Sequence, residues 1–170
     1  MDNRACARTS HGISDMMTSA IRDPGADWRA RLIESSAGVD ELIAGTHRIA
    51  VLGMKTADSG QPAYYVPEYA RRAGMEIVPV PVYYPEVTEI LGQEVYRTLR
   101  AIPGPVDMVN VFRRPKDIDA HVDDIIAKGP KSVWFQLGIR NDGAAERLAR
   151  AGIDVVQDKC LLVELRRVGR

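Results

Sequence analysis

Five short apolar runs recur along the chain: Arg48-Ile-Ala-Val-Leu52, Met75-Glu-Ile-Val-Pro-Val80, Val106-Asp-Met-Val-Asn-Val-Phe112, Lys131-Ser-Val-Trp-Phe-Gln-Leu137 and Ile153-Asp-Val-Val-Gln157. They are rich in β-forming residues and lack a helical period, which predicts strands buried on both faces. Pro79 places the second run near a sheet edge or an irregular end. Segments with helical spacing lie between them. Tyr64 to Ala73 is closed by Gly74, and Pro67, which an interior turn rejects, predicts that this helix starts no earlier than about Tyr64. Pro115 to Lys128 has proline at the first helical position, Ile118, Val122, Ile125 and Ile126 on one face, and Gly129-Pro130 as its stop. Gly143 to Ala151 is capped by Asn141 or Asp142 and ended by Gly152.

The remaining segments are less regular. Trp28, Leu32 and Ile33 have helical spacing, as do Val39, Leu42 and Ile43, so two short helices are expected to lead into the first strand and cover its sheet. Trp28 reads as a core anchor, with partner docking as the other reading. Residues 81–91 read as a loop, 92–96 as a minor edge strand and 96–102 as one or two helical turns. Residues 1–25 are expected to form a flexible extension, and 26–170 a single domain. Strands alternating with helices at this spacing give an α/β fold with parallel pairing and right-handed crossovers. Ligands then gather at the carboxyl ends of the strands.

Composition narrows the partners. The chain has 170 residues, 45% hydrophobic and 27% charged, with Lys+Arg and Asp+Glu both 23. A neutral balance suggests no general affinity for nucleic acid or for acidic membranes. Cys6 and Cys160 lie far apart, without the spacing of a disulfide framework or zinc knuckle. No apolar run approaches the length of a membrane span, so the expected compartment is the cytoplasm.

The strand ends hold the candidate chemistry. Gly53, Met54, Lys55, Thr56 and Ser59 follow the first strand, Tyr83 and Tyr84 the second, Arg113 and Arg114 the third, and Gln136, Leu137, Gly138 and Arg140 the fourth. Arg113 and Arg114 stand just before a helix N-terminus, where the dipole disfavours positive charge. A bound anion relieves that conflict; so would Asp117 and Asp119 in the first helical turn. The missing motifs limit the choice of anion. There is no G-x-G-x-x-G after Leu52 and no acidic residue ending the second strand, which disfavours NAD. Gly53-Met54-Lys55-Thr56 has the residue types of a triphosphate loop in the wrong frame. Neither His47 nor His121 has a metal-ligand interval around it, and no activated serine is readable.

From Ile49 to Arg166 the chain resembles the small CoA-binding proteins, whose Rossmann-like domain is shared with the CoA-binding part of the succinyl-CoA synthetase α subunit. The resemblance rests on IAVLGMKTADSGQP at the first turn, Ile-Leu-Gly-Gln-Glu-Val-Tyr at 90–96, and Val-Asp-Met-Val-Asn-Val-Phe-Arg-Arg-Pro at 106–115. Val-Trp-Phe-Gln-Leu-Gly at 133–138 and Asp158-Lys-Cys160 complete it. It implies a doubly wound, mostly parallel sheet of five or six strands with helices on both faces, and coenzyme A across the strand ends. On that resemblance Gly53, Met54, Lys55 and Ser59 surround the diphosphate. Phe112, Arg113, Arg114 and Pro115 line the adenosine and phosphate side, and Gln136, Leu137 and Gly138 hold the start of the pantetheine. The chain departs from the family at Pro-Val-Tyr-Tyr-Pro, 81–85, where members carry Asn-Pro-Arg, which removes one expected cation.

The synthetase's phosphohistidine domain and nucleotide grasp have no counterpart here. The expected function is therefore binding of CoA or acyl-CoA without catalytic apparatus of its own. The alternative is a subunit of an acyl-CoA-dependent transferase or ligase whose catalytic residues come from a partner. Cys160, beside Lys159 at the end of the last strand, suggests a mixed disulfide with the CoA thiol; an inert, half-buried thiol is the plainer reading. Tyr64, Tyr65 and Tyr69 suit either the core or the face of a homodimer.

Overall fold

A computed structural model describes residues 27–170, so the extension expected at 1–25 lies outside the described residues. Asp27 caps a 3-10 turn, Trp28–Arg31, by accepting the Arg29 N–H. The longer helix predicted there does not form. Leu32 becomes extended and bridges Val155 in parallel, and the Ile33 N–H donates to the Val155 carbonyl at 2.8 Å. Trp28 is half-buried rather than a core anchor, with the guanidinium groups of Arg29 and Arg150 at 4.5 and 5.0 Å from its ring centroid. Ser35 caps helix α1 (Ser36–Ala44), which buries Val39 and Ile43.

Strand β1 (Arg48–Leu52), helix α2 (Pro62–Arg72) and strand β2 (Glu76–Val80) follow. Helix α2 begins at Pro62 and carries Pro67 inside it, contrary to the start expected near Tyr64. The reason lies in the loop: Pro67 has no N–H for the Ala63 carbonyl, and the Lys55 N–H takes its place at 3.2 Å. The interior proline therefore ties the β1–α2 loop to its helix. Strand β2 is a sheet edge, with Pro79 opposite Val51. The Pro79 carbonyl points outward to the Tyr96 N–H at 3.0 Å, so the absent proline N–H costs no bond to β1.

The minor edge strand expected at 92–96 does not join the main sheet. It forms a two-residue hairpin, β3 (Glu89–Ile90) with β4 (Gln93–Glu94), and a single 3-10 turn, Leu99–Ala101, follows. Strand β5 (Met108–Val111) leads to Pro115, which opens a 3-10 turn, Pro115–Asp117, ahead of helix α3 (Asp119–Lys128). Strand β6 (Ser132–Phe135), helix α4 (Asp142–Arg150) capped by Asn141, and strand β7 (Asp154–Val156) come next. The chain closes with helix α5 (Leu161–Arg167), an element the sequence reading missed, which buries Leu161 and Leu165 one turn apart.

The five strands are all parallel, in the order β2-β1-β5-β6-β7. Alternate residues face opposite sides. Ala50, Leu52, Val109, Val111 and Phe135 pack with Ile118, just ahead of α3, and with Val122, Ile125 and Leu148 of α3 and α4, while Ile49, Val51, Met108 and Trp134 pack with residues of α1, α2 and α5. This is the doubly wound, Rossmann-like architecture expected. Chain direction across the sheet reverses between β1 and β5, and a crevice opens there at the carboxyl ends.

Candidate functional site

Gly53 begins the loop at this crevice, with φ +85°. A Cβ there would meet the Phe112 carbonyl oxygen at 2.4 Å and Arg113 Cδ at 3.1 Å. Only glycine lets the ends of β1 and β5 come this close. Ser59 serves its own turn, donating from Oγ to the Thr56 carbonyl at 2.7 Å. The Met54 side chain is buried among α1, α2 and α5. Neither Gly53, Met54 nor Ser59 lines the cavity that the crevice opens into.

That cavity has a volume of about 590 Å³ and is bounded by the α2 N-terminus, the loop after β5 and the loop after β6. Lys55, Phe112, Arg113, Arg114, Pro115, Gln136, Leu137, Gly138 and Cys160 all line it. So do Tyr83 and Ile139, which the sequence places at the same strand ends, and Gln61, Ala63, Tyr65 and Val66, which the sequence reading did not assign to the site. Tyr65, which the sequence leaves to either the core or a homodimer face, and Val66 both lie on α2.

The cavity lining combines three cations, Lys55, Arg113 and Arg114, with the apolar side chains of Val66, Phe112, Leu137 and Ile139. Lys55 Nζ donates to Gln61 Oε1 at 2.6 Å and has no carboxylate partner among the described residues. Arg114 Nε donates to Asp117 Oδ2 at 2.7 Å, and Arg113 lies 3.7 Å from the same oxygen. The hydrogen bond from Arg114 holds the Asp117 carboxyl below its ordinary pKa, so it stays ionised. Both readings of the arginine pair thus apply: the two are tied to their own helix and also face the cavity. One carboxylate cannot neutralise three cations, and no carboxylate lines the cavity. The Arg113 side chain is only 12% exposed, its Nε has no partner among the described residues, and its guanidinium lies 5.5 Å from the Tyr83 ring centroid. Hydrogen bonding and charge from Arg113 lower the Tyr83 pKa.

Tyr65, Val66, Leu137 and Ile139 supply apolar surface to the lining. Leu137 is 68% exposed. Gly138 adopts φ +80° and donates its N–H to Asp158 Oδ1 at 2.6 Å, so that donor is already engaged. Behind the wall runs a polar chain of fixed direction. The Leu161 N–H donates to Gln136 Oε1, which turns Gln136 Nε2 toward Asn110 Oδ1 at 2.8 Å. Asn110 Nδ2, in a fully buried residue, is then left without a partner among the described residues. A polar residue inside an otherwise apolar strand was the available signal for Asn110.

Residues 47–166 match a family model described as a CoA binding domain. The chain belongs to this CoA-binding domain family. The uncharacterized protein YneT of Bacillus subtilis (strain 168) is 32% identical to it over 129 residues, 76% of this chain and 93% of that one. A solved structure of a Thermus thermophilus protein, cell-free ID.343, is 36% identical with a TM-score of 0.73, covering 79% of this chain and 99% of that one. A hypothetical protein from Pyrococcus horikoshii OT3 is 28% identical with a TM-score of 0.72, covering 79% and 92%. A dinucleotide-forming acetyl-coenzyme A synthetase of Ca. Korarchaeum cryptofilum shares the fold alone, at 19% identity and a TM-score of 0.54 over 64% of this chain and 25% of that one. Among the described residues, no helix is long and apolar enough to cross a membrane.

Proposed function

We propose that this CoA-binding domain protein binds coenzyme A or an acyl-CoA in the crevice between β1 and β5, without catalysing a reaction alone. The observation that carries this reading is the mixed cavity lining: three cations with a surplus of positive charge, together with apolar side chains. A diphosphate brings two negative charges and matches that surplus. Charge-assisted hydrogen bonds from Lys55, Arg113 and Arg114 hold it. The pantetheine arm extends over Phe112 toward Leu137, covering an apolar side chain that otherwise meets water. Calorimetric titration of the full chain with CoA and with NAD tests the reading. Saturable binding of CoA and none of NAD is the expected result; no heat with CoA overturns it.

The exposed apolar rim of Tyr65, Tyr83 and Leu137 favours a second reading, in which a partner subunit covers the mouth and supplies catalytic residues. Incubation with short acyl-CoAs separates the two. Protection against heat with no hydrolysis or transfer supports binding alone.

Cys160 lies in the cavity lining, half-buried, where a pantetheine thiol arrives. Thiol–disulfide exchange with CoA disulfide would join Cys160 Sγ to one CoA sulfur and release the other CoA as thiolate. Intact-mass analysis after incubation with CoA disulfide is expected to show one CoA adduct, lost in Cys160→Ser. An adduct that survives in the serine variant removes Cys160 from this role.

A further inference from the structure

Two buried side-chain nitrogens have no hydrogen-bond partner among the described residues, Asn110 Nδ2 and Arg113 Nε, and they lie close together on β5 and the loop after it. Arg113 lines the cavity, where an anion meets its need. Asn110 is a different case. It is fully buried between Val109 and Val111 on the strand, and a third valine there would leave no unmet donor of its own. What the asparagine does is accept from Gln136 Nε2 at 2.8 Å.

Gln136 is only 4% exposed, yet it lines the cavity. Its carboxamide cannot be turned over. Oε1 accepts the Leu161 N–H at 3.3 Å, a group that only donates, so Nε2 is committed to Asn110 Oδ1. That bond uses one Nε2 hydrogen, and the other has no partner among the described residues. Leu161 directly follows Cys160, which lines the same cavity, so the fixed carboxamide stands beside the cysteine. A neutral N–H in this setting suits a neutral acceptor, since a phosphate is drawn to the cations instead. Along an acyl-CoA, the carbonyl next to the sulfur is that of the thioester.

We propose that Gln136 donates its remaining N–H to the thioester carbonyl of an acyl-CoA, with Asn110 as its positioning residue, so that the cavity prefers an acyl-CoA to CoA. This rests on the reading that the thiol end of CoA reaches Cys160. It moves Gln136 from the start of the pantetheine, where the family resemblance puts it, to the end. A free thiol offers only a weak sulfur acceptor and leaves the donor unmet.

Calorimetry with the full chain compares acetyl-CoA with S-ethyl-CoA, a thioether of the same length that lacks the carbonyl. Acetyl-CoA is expected to bind about three- to tenfold tighter, the worth of one neutral hydrogen bond. Gln136→Glu keeps an acceptor for the Leu161 N–H and offers another to Asn110 Nδ2, bonds that hold it ionised, but it has no N–H to donate. In that variant the ratio is expected to fall to about one. Asn110→Val continues the strand's run of valines and lets the Gln136 carboxamide turn. It is expected to narrow the ratio and to raise the carbonyl stretching frequency of bound acetyl-CoA, read by isotope-edited infrared spectroscopy, which a merely structural loss would not move.

Equal affinities for acetyl-CoA and S-ethyl-CoA in the wild type overturn the proposal and leave the CoA reading standing. An undiminished ratio in folded Gln136→Glu also overturns it, since another donor then meets the carbonyl. Should that variant not fold, a ratio and a stretching frequency both unchanged in Asn110→Val overturn it in the same way. Failure of the wild type to bind CoA or either derivative sinks the CoA reading itself, and this proposal with it.

Discussion

Gly53 and Arg113 are coupled, because a Cβ added at residue 53 would come within 3.1 Å of Arg113 Cδ. Gly53→Ala forces alanine into a left-handed conformation, at a cost of about 1–2 kcal/mol. It also drives a methyl group against the Phe112 carbonyl, so urea denaturation is expected to show a loss at least that large. Arg113→Ala is expected to weaken CoA binding by about 1 to 3 kcal/mol, as for one charge-assisted hydrogen bond. Calorimetry at matched folded fraction checks it, and unchanged affinity removes Arg113 from the site. The arginine pair was legible in the sequence because two positive charges before a helix N-terminus demand an explanation. The burial of Met54 and the turn role of Ser59 were not, since a loop has no fixed period from which a side chain's direction can be read. Asn110 was visible as a polar residue in an apolar run, but its partner Gln136 is 26 residues away on another strand.

Among the elements, α4 affects the site although its helix lies on a neighbouring face. Its cap, Asn141, accepts the Ala144 N–H on Oδ1 at 3.0 Å and donates from Nδ2 to the Pro115 carbonyl at 2.9 Å. The same side chain thus begins a helix and anchors the loop that carries Arg113 and Arg114. Asn141→Ala removes both bonds. A lost cap costs about 0.5–2 kcal/mol, read as a lower urea midpoint. Faster amide exchange at Arg113, Arg114 and Lys116 is expected beside it, whereas a cap acting alone would change exchange only in α4. Strands and caps were readable here because each depends on local residue order. Pro67 was misjudged because its compensation comes from the Lys55 N–H, outside the helix. Helix α5 was overlooked because two leucines one turn apart are too few to establish a period in seven residues.

At the scale of the whole molecule, parallel pairing followed from the alternation of strands and helices, but the order β2-β1-β5-β6-β7 did not. That order depends on which faces bury best together. Within one connection, from β5 into α3, His121 lies near Arg113. The consequence is a pH dependence. Burial first, and then the Arg113 charge, lower the folded-state pKa of His121 from its ordinary 6.5, against a smaller opposing pull from Asp124 and Asp117. Below 6.5 the unfolded chain takes up a proton that the folded one resists, so unfolding is favoured as pH falls. The contribution of His121 is complete above that value and is lost as pH drops through the lower folded-state pKa. Carboxylates such as Asp117, already depressed by its arginine partners, lose their protective charge only in a more acidic range. Urea midpoints measured at about pH 7.5 and about pH 5.5 are therefore expected to fall in the wild type and to fall less in His121→Gln. An equal fall in both proteins would mean that His121 protonates freely in the folded chain.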